Sequence, residues 1–306
     1  MTNVILTTTI NAPTDAIRKF DALPDWHLIV VGDKRTPAYK LERGRFIPWQ
    51  EVESLYPELV KLVGWNCTQL GRMVGFLEAR KHSPKLVATI DDDCNPYPGW
   101  PGDIYVGRCV SAEAYLCKQE VFNPFLCAGY RHPPRGFPPQ LRPLGYESSP
   151  RQLNVLVQEN FWDGEIDYDA CWRVHGSTYE VCTCKEPFWS NGMSPVNTQN
   201  TIIDGSVLRD YCGELPFVGH VSDIWAGYLF QAWHPNSTLY APANVRHWQD
   251  RSVDSVVQDL QDEIYSYKYT LDFVRGLQEH GPDRIHRIEC VPAGTVKAID
   301  IYRGYF

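Results

Sequence analysis

Two hydrophobic periods alternate along this chain, and the switches between them outline its elements. Val4-Ile5-Leu6 is an apolar run bounded by polar residues and reads as a buried strand. Pro13 stands where a helix would begin, with Ala16, Ile17 and Phe20 at helical spacing. Trp26 to Val31 is a second apolar run, closed by Gly32-Asp33. Strand, helix and strand within about 30 residues make a βαβ unit, which implies a parallel sheet with a right-handed crossover. Such sheets bind ligands beyond the carboxyl ends of their strands, here at Thr7–Thr9 and Asp33.

A period of 3.6 returns over residues 68–81, where Leu70, Met73, Val74 and Leu77 share a face. Lys85 to Ile90 is the next strand and runs straight into Asp91-Asp92-Asp93. Residues 94–103 and 130–150 are dense in Pro and Gly and are expected to be irregular. Ser222 or Asp223 is expected to cap a helix running through Trp233, with Ile224, Tyr228 and Leu229 facing inward. Ser252 opens a long amphipathic helix that should end near Gly276, with Val253, Val256, Val257, Leu260, Ile264 and Leu271 at core spacing. The expected organisation is an α/β domain over residues 1–250 and a C-terminal helical extension over 251–306 packed on it. The apolar face of the extension would cover its own domain, the commoner case, or a second subunit of a homo-oligomer.

Composition narrows the function class. Of 306 residues, 43% are hydrophobic and 22% charged, the balance of a folded protein. The net charge of −8 argues against a nucleic-acid partner. No apolar run is long enough for a membrane span, and the N-terminus lacks the basic region and apolar stretch of a signal peptide. A cytoplasmic protein is therefore expected. The 10 cysteines include no CxxC pair, so a structural zinc site is not expected, and Cys182 and Cys184 read as two thiols on one strand face.

Three segments carry candidate chemistry. Side chains at i and i+2 of an extended segment point the same way, so Asp91 and Asp93 can face one point at a strand's carboxyl end. Two hard oxygen ligands there suit Mn²⁺ or Mg²⁺, which take further oxygens from substrate phosphates. His247 is a weaker metal candidate. Arg131, Arg135, Arg142 and Arg151 form a basic stretch whose guanidinium groups would grip phosphate or pair with the protein's own carboxylates. Asp223 before Ile224-Trp225-Ala226-Gly227 would bind a sugar hydroxyl or act as a base, with Trp225 stacking on the sugar, or else cap a helix beside a core Trp. There is no Walker A motif, no GxGxxG after the first strand, no GxSxG and no HExxH.

Taken in order, these phrases resemble a known family. Val31-Gly32-Asp33, Arg72-Met73-Val74-Gly75-Phe76, Thr89 to Cys94, Arg135-Gly136-Phe137-Pro138 with Arg142, Asp167-Tyr168-Asp169-Ala170, Gly192-Met193 and Asp223 to Gly227 are collinear with the plant reversibly glycosylated polypeptides. Those proteins are UDP-arabinopyranose mutases. Ile29 to Pro37 is more similar to the related STELLO glycosyltransferase-like proteins. The resemblance implies a GT-A-like, Rossmann-like nucleotide-sugar fold with a mainly parallel sheet and a divalent metal on Asp91 and Asp93. It implies nucleotide contacts at Thr8, Asp33, Arg72, Asp91 and Asp92. It also implies an arginine, by position Arg135, that carries the glycosyl group during ring contraction, with Arg142 as its partner and Asp223 on the sugar. The chain departs from the family at Ser222, at His220 and over residues 94–105, where sugar or acceptor would lie. The expected activity is a metal-dependent mutase of an NDP-sugar, most readily a UDP-sugar. A glycosyltransferase with a separate acceptor near Asp223 and Tyr97–Trp100 is the alternative, and a non-catalytic nucleotide-sugar-binding partner is a third reading.

Overall fold

The computed structural model describes residues 2–65, 68–142, 145–176, 178–249 and 252–306. β1 (Asn3–Thr9), α1 (Asp15–Asp21) and β2 (Trp26–Gly32) form the βαβ unit that the N-terminal pattern implies, with β1 and β2 parallel from Asn3 opposite Trp26 to Thr9 opposite Gly32. Thr14 caps α1, its hydroxyl accepting from the Ile17 amide at 3.2 Å. β3 (Arg45–Ile47) extends the parallel sheet beyond β2, and α2 (Trp49–Leu55) and α3 (Pro57–Val63) lead into α4 (Gln69–Arg80). β4 (Leu86–Ile90) returns on the other side of β1, again in parallel.

Two missing side chains let α4 lie close on β1. A Cβ at Gly71 would sit 3.0 Å from the Thr8 methyl, and one at Gly75 3.2 Å from a Leu6 methyl. The close approach buries α4 on nearly every side, Arg72 included.

The rest of the sheet is mixed. β5 (Cys94–Pro96), β6 (Cys109–Leu116), α5 (Pro124–Ala128), β7 (Glu147–Asn154), β8 (Val157–Glu165), α6 (Ala170–His175), β9 (Tyr179–Glu180), β10 (Phe188–Ser190) and β11 (Asn200–Asp204) follow in the chain. After them come α7 (Ser222–Trp233), β12 (Thr238–His247), α8 (Val253–His280) and α9 (Ala293–Gly304). The sheet order is β3-β2-β1-β4-β11-β8-β12-β10-β6-β7, with β5 on β12 and β9 on β8. β11 runs antiparallel to both β4 and β8, while β8 and β12 are parallel. Among the described residues no helix is long and apolar enough to cross a membrane.

Three expectations change. The segments over 94–103 and 130–150 are not wholly irregular: the first contributes β5, and the second runs into β7 at Glu147. β7 pairs only with β6, so Pro150 is tolerated at the sheet edge, where its missing amide breaks no ladder on the open side. α8 starts at its Ser252 cap as expected but continues past Gly276, because that glycine marks a close approach: a Cβ there would meet Ile288 at 2.7 Å. The core face of α8 also differs from its apolar stripe. Val253, Val257 and Ile264 are exposed, whereas Glu263, Ser266 and Thr270 are buried with Leu271, Phe273, Val274 and Leu277. The amino-terminal half of this helix turns a polar face inward because it packs beside α6 and α7, where a polar site lies.

Candidate functional site

A cavity of about 850 Å³ opens where the carboxyl ends of β1 and β4 meet the starts of β11 and α7. One wall is the acidic triplet. Arg72 reaches it from α4, donating to Asp91 Oδ1 at 2.5 Å, to the Thr89 hydroxyl at 2.6 Å and to the Ile90 carbonyl at 3.2 Å. Burial opposes its charge, but Asp91, Glu214 and Asp223 together more than offset that, and the guanidinium pKa is raised. Asp92 locks the ends of β1 and β4 together. Its Oδ2 accepts from the Thr9 hydroxyl and from Asn11 Nδ2 at 3.2 Å, and its carbonyl accepts from the Thr14 hydroxyl at 2.5 Å.

Asp93 meets His247, which arrives from far along the chain because β12 pairs with β5, His247 opposite Cys94. On its other side His247 lies opposite Gly164 of β8. Gly164 has φ +107°, and a Cβ there would come within 2.0 Å of the His247 carbonyl oxygen, so only glycine lets the two strands close at this point. His247 Nδ1 donates to the Glu165 carbonyl at 2.7 Å, which leaves the lone pair of the neutral ring on Nε2. Nε2 is 3.3 Å from Asp93 Oδ2. Burial disfavours the imidazolium, but the hydrogen bond and charge of Asp93 outweigh it and raise the His247 pKa. The other Asp93 oxygen is buried without a hydrogen-bond partner.

The facing wall is built of paired charges. Arg135 donates from Nε to Asp167 Oδ1 at 3.0 Å and from Nη2 to Asp167 Oδ2 at 2.9 Å. Its Nη1 donates to Asp223 Oδ1 at 3.0 Å and also to the His220 carbonyl, and its Nη2 to Asp223 Oδ2 at 3.2 Å. Arg173 of α6 bridges Asp167 at 2.7 Å and Asp259 of α8 at 3.2 Å. Burial alone would raise the Asp167 pKa, but Arg135 and Arg173 hold it well below the usual carboxylate range. Burial likewise opposes charge on Arg135, yet Asp167 and Asp223 lift its pKa far above the ordinary value. Glu214 lies buried nearby, accepting from the Ser222 hydroxyl, and burial followed by the charge of Asp223 pushes its pKa up to about 8. His220 Nδ1 lies 3.0 Å from Glu263 Oε1 on α8, whose other oxygen accepts from the Ala170 amide at 2.7 Å and the Tyr267 hydroxyl at 2.8 Å.

Thr8, Arg72, Asp91, Asp92, Asp93, Arg135, Asp223 and His247 therefore share one cleft. Asp33 does not line it. That carboxylate is buried behind, accepting from the Arg35 amide at 2.7 Å and from Arg35 Nη2 at 2.8 Å, and Arg35 is the residue that reaches the cleft. Arg142 is exposed and lies outside the cleft lining, which removes it as a partner of Arg135. Arg131 pairs with Glu180 at 2.7 Å, and Arg151 lies on the edge strand β7. Trp225 is fully buried, stacked on Phe273 at 4.0 Å with Nε1 donating to Thr270, so it joins α7 to α8 and offers no face to a sugar. Trp100 packs on Phe20 and Trp26, Tyr97 donates to Asp163 at 2.7 Å, and neither lines the cleft. The charged cleft residues that the sequence did not single out are Arg35, Asp167, Arg173, Glu214, Asp259 and Asp262. Only Arg35 and Asp167 carried a signal, each within a phrase shared with a known family. The described lining holds eight carboxylates against four arginines.

Asp93 and, once Nε2 has given up its proton, His247 offer donors of the kind that suit Mn²⁺ or Mg²⁺, with Asp91 on the same wall. Among the described residues no group of three or more His, Cys, Asp or Glu side chains is placed to hold a metal ion by itself. The unpartnered Asp93 oxygen and His247 Nε2 instead suit an ion that completes its coordination from a ligand.

No protein-family model and no curated protein matches the chain. Among solved structures, it is similar to glucosyl-3-phosphoglycerate synthase from Mycobacterium tuberculosis in complex with phosphoglyceric acid, at 13% identity over 90% of this chain and 80% of that one, with a TM-score of 0.42. The complex of the same enzyme with Mn²⁺, UDP-glucose and phosphoglyceric acid is 12% identical over 88% of this chain and 79% of that one, also at 0.42.

Proposed function

We propose that this protein is a metal-dependent glycosyltransferase of GT-A-like fold that takes its sugar from a nucleoside-diphosphate donor, most readily a UDP-sugar. The observation that carries the reading is the meeting of Asp91, Asp93, His247 and Arg72 at the carboxyl end of a parallel sheet. A cleft with twice as many carboxylates as arginines repels a diphosphate unless a cation comes with it. Asp91, Asp93 and His247 would hold Mn²⁺ or Mg²⁺, which when bound supplies charge neutralisation to the leaving diphosphate. Arg72 is fixed by three acceptors and adds a second positive charge at the same wall. Thr8 and Thr9 offer the end of β1 to the nucleoside. Asp223, held by Arg135, would accept from sugar hydroxyls.

The mutase chemistry implied by the family resemblance needs Arg135 as a nucleophile. A guanidinium is nucleophilic only after losing a proton, and Asp167 and Asp223 hold that proton in place. The geometry thus favours Arg135 as a positioning residue and transfer to a separate acceptor.

The test is incubation with Mn²⁺ and UDP-glucose, UDP-galactose, UDP-arabinopyranose or GDP-mannose without acceptor, followed by chromatography and intact mass. The expected result is slow release of nucleoside diphosphate, with no isomer and no protein adduct. A ring isomer together with a glycosyl adduct that disappears in Arg135→Ala would replace this reading with the mutase.

A further inference from the structure

Beside the donor wall, the cleft presents an exposed aromatic ring that is nevertheless held in place. Trp248 follows His247 directly, lines the cleft and is 57% exposed. Its ring is oriented by neighbours: Tyr179 meets it edge-on at 6.0 Å, and the Arg246 guanidinium lies 5.9 Å from the Trp248 ring and 5.7 Å from that of Tyr179. Arg246 Nη2 also donates to the Tyr179 hydroxyl at 3.0 Å. A large apolar ring left facing solvent, yet fixed by a cation and a second ring, is a surface waiting for a flat partner. α8 presents Asp259 and Asp262 to the same cleft.

The charges of this half of the cleft restrict what that partner is. All four arginines that line the cleft are engaged: Arg135 and Arg173 with Asp167, Asp223 and Asp259, Arg72 with Asp91, and Arg35 with Asp33. An anionic acceptor would have to displace one of these carboxylates to find a cation, leaving that carboxylate unpaired. A neutral polyol meets no such conflict: its C–H face stacks on an indole, and its hydroxyls donate to carboxylates.

We infer that the acceptor is a neutral saccharide, stacked on Trp248 with its hydroxyls donating to Asp259 and Asp262. The inference rests on the glycosyltransferase reading above. The carboxylates supply acceptors for hydroxyl protons, and the ring supplies a sequence-independent platform for a pyranose.

The experiment uses the full-length protein loaded with Mn²⁺ and UDP, titrated by calorimetry with maltose, cellobiose, lactose and phosphoglyceric acid. UDP binding is measured first. Absence of UDP binding overturns the donor-site reading itself, separately from this inference. With UDP bound, at least one neutral disaccharide should bind and phosphoglyceric acid should not. Trp248→Ala should weaken disaccharide binding by about tenfold, while Trp248→Phe, which keeps a ring, should restore most of it and so exclude a merely structural effect. Binding of phosphoglyceric acid alone, binding of no disaccharide, or an equal affinity in Trp248→Ala would overturn the inference.

Discussion

Nε2 of His247 lies 3.3 Å from Oδ2 of Asp93, brought there by the pairing of β12 with β5. The hydrogen bond from Nδ1 to the Glu165 carbonyl fixes which nitrogen faces the acid. If the pair holds a divalent ion, Asp93→Asn and His247→Ala should each lower Mn²⁺ affinity in the presence of UDP by about ten- to a hundredfold. Paramagnetic resonance of free Mn²⁺ reads this directly. Protons compete for the same nitrogen, and the neighbouring Asp93 raises the His247 pKa, so affinity should fall as pH is lowered from about 8 to about 6. Unchanged affinity in both variants would remove the pair from the metal site.

Arg135 bridges two buried carboxylates, Asp167 and Asp223. Arg135→Ala leaves Asp223 buried without its cation, which costs about 3–5 kcal/mol. Arg135→Lys keeps the charge but not the fork, so it should recover only part of that stability. Denaturant unfolding measures both. An alanine variant as stable as the parent would show that the ion-pair network is not structural.

Gly164 is the position at which β8 and His247 touch. Gly164→Ala places a methyl group 2.0 Å from the His247 carbonyl oxygen at φ +107°. The loss should exceed about 1–3 kcal/mol, the usual range for backbone strain alone, and Mn²⁺ affinity should fall with it. Gly145→Ala, where a Cβ meets nothing within 4 Å, is the control and should change neither quantity.

Glu214 links pH to stability. Burial pushes its folded pKa up to about 8, against an unfolded value in the ordinary carboxyl range. Below the unfolded value both states are protonated and the folded state loses nothing. As pH rises towards about 8, the unfolded chain gains charge freely while the folded state resists, so stability declines across that window. Glu214→Gln should flatten this part of the profile. Thermal unfolding is a sufficient readout, since each kcal/mol moves the midpoint by about 2–4 °C. A variant with the parent's pH slope would show that Glu214 is ionised in the folded protein.

What the sequence showed and what it hid divide along one line. The strands at Val4–Leu6 and Trp26–Val31, the helix around residues 68–81 and the acidic triplet were legible because apolar periodicity and strand ends are local signals. The helix at Ser252 was legible too, but its inward face was not: Glu263 is buried there to serve His220, while Val253 and Val257 stay in solvent. Polar burial of that kind depends on partners far away in the chain. The same is true of Arg135, whose meaning changes once Asp167 and Asp223 are seen on either side of it. Arg142, paired with Arg135 by the resemblance, lies outside the cleft, and Arg151 lies on the edge strand β7.

The central claim is that this cleft binds a nucleoside diphosphate through a divalent cation. A calorimetric titration of UDP into the protein, once with Mn²⁺ and once with a chelator, tests it most directly. Saturable binding with Mn²⁺ that disappears in the chelator, and that weakens in Asp93→Asn, is the predicted result. Absence of binding with Mn²⁺, or binding that is equally tight in the chelator, would contradict it.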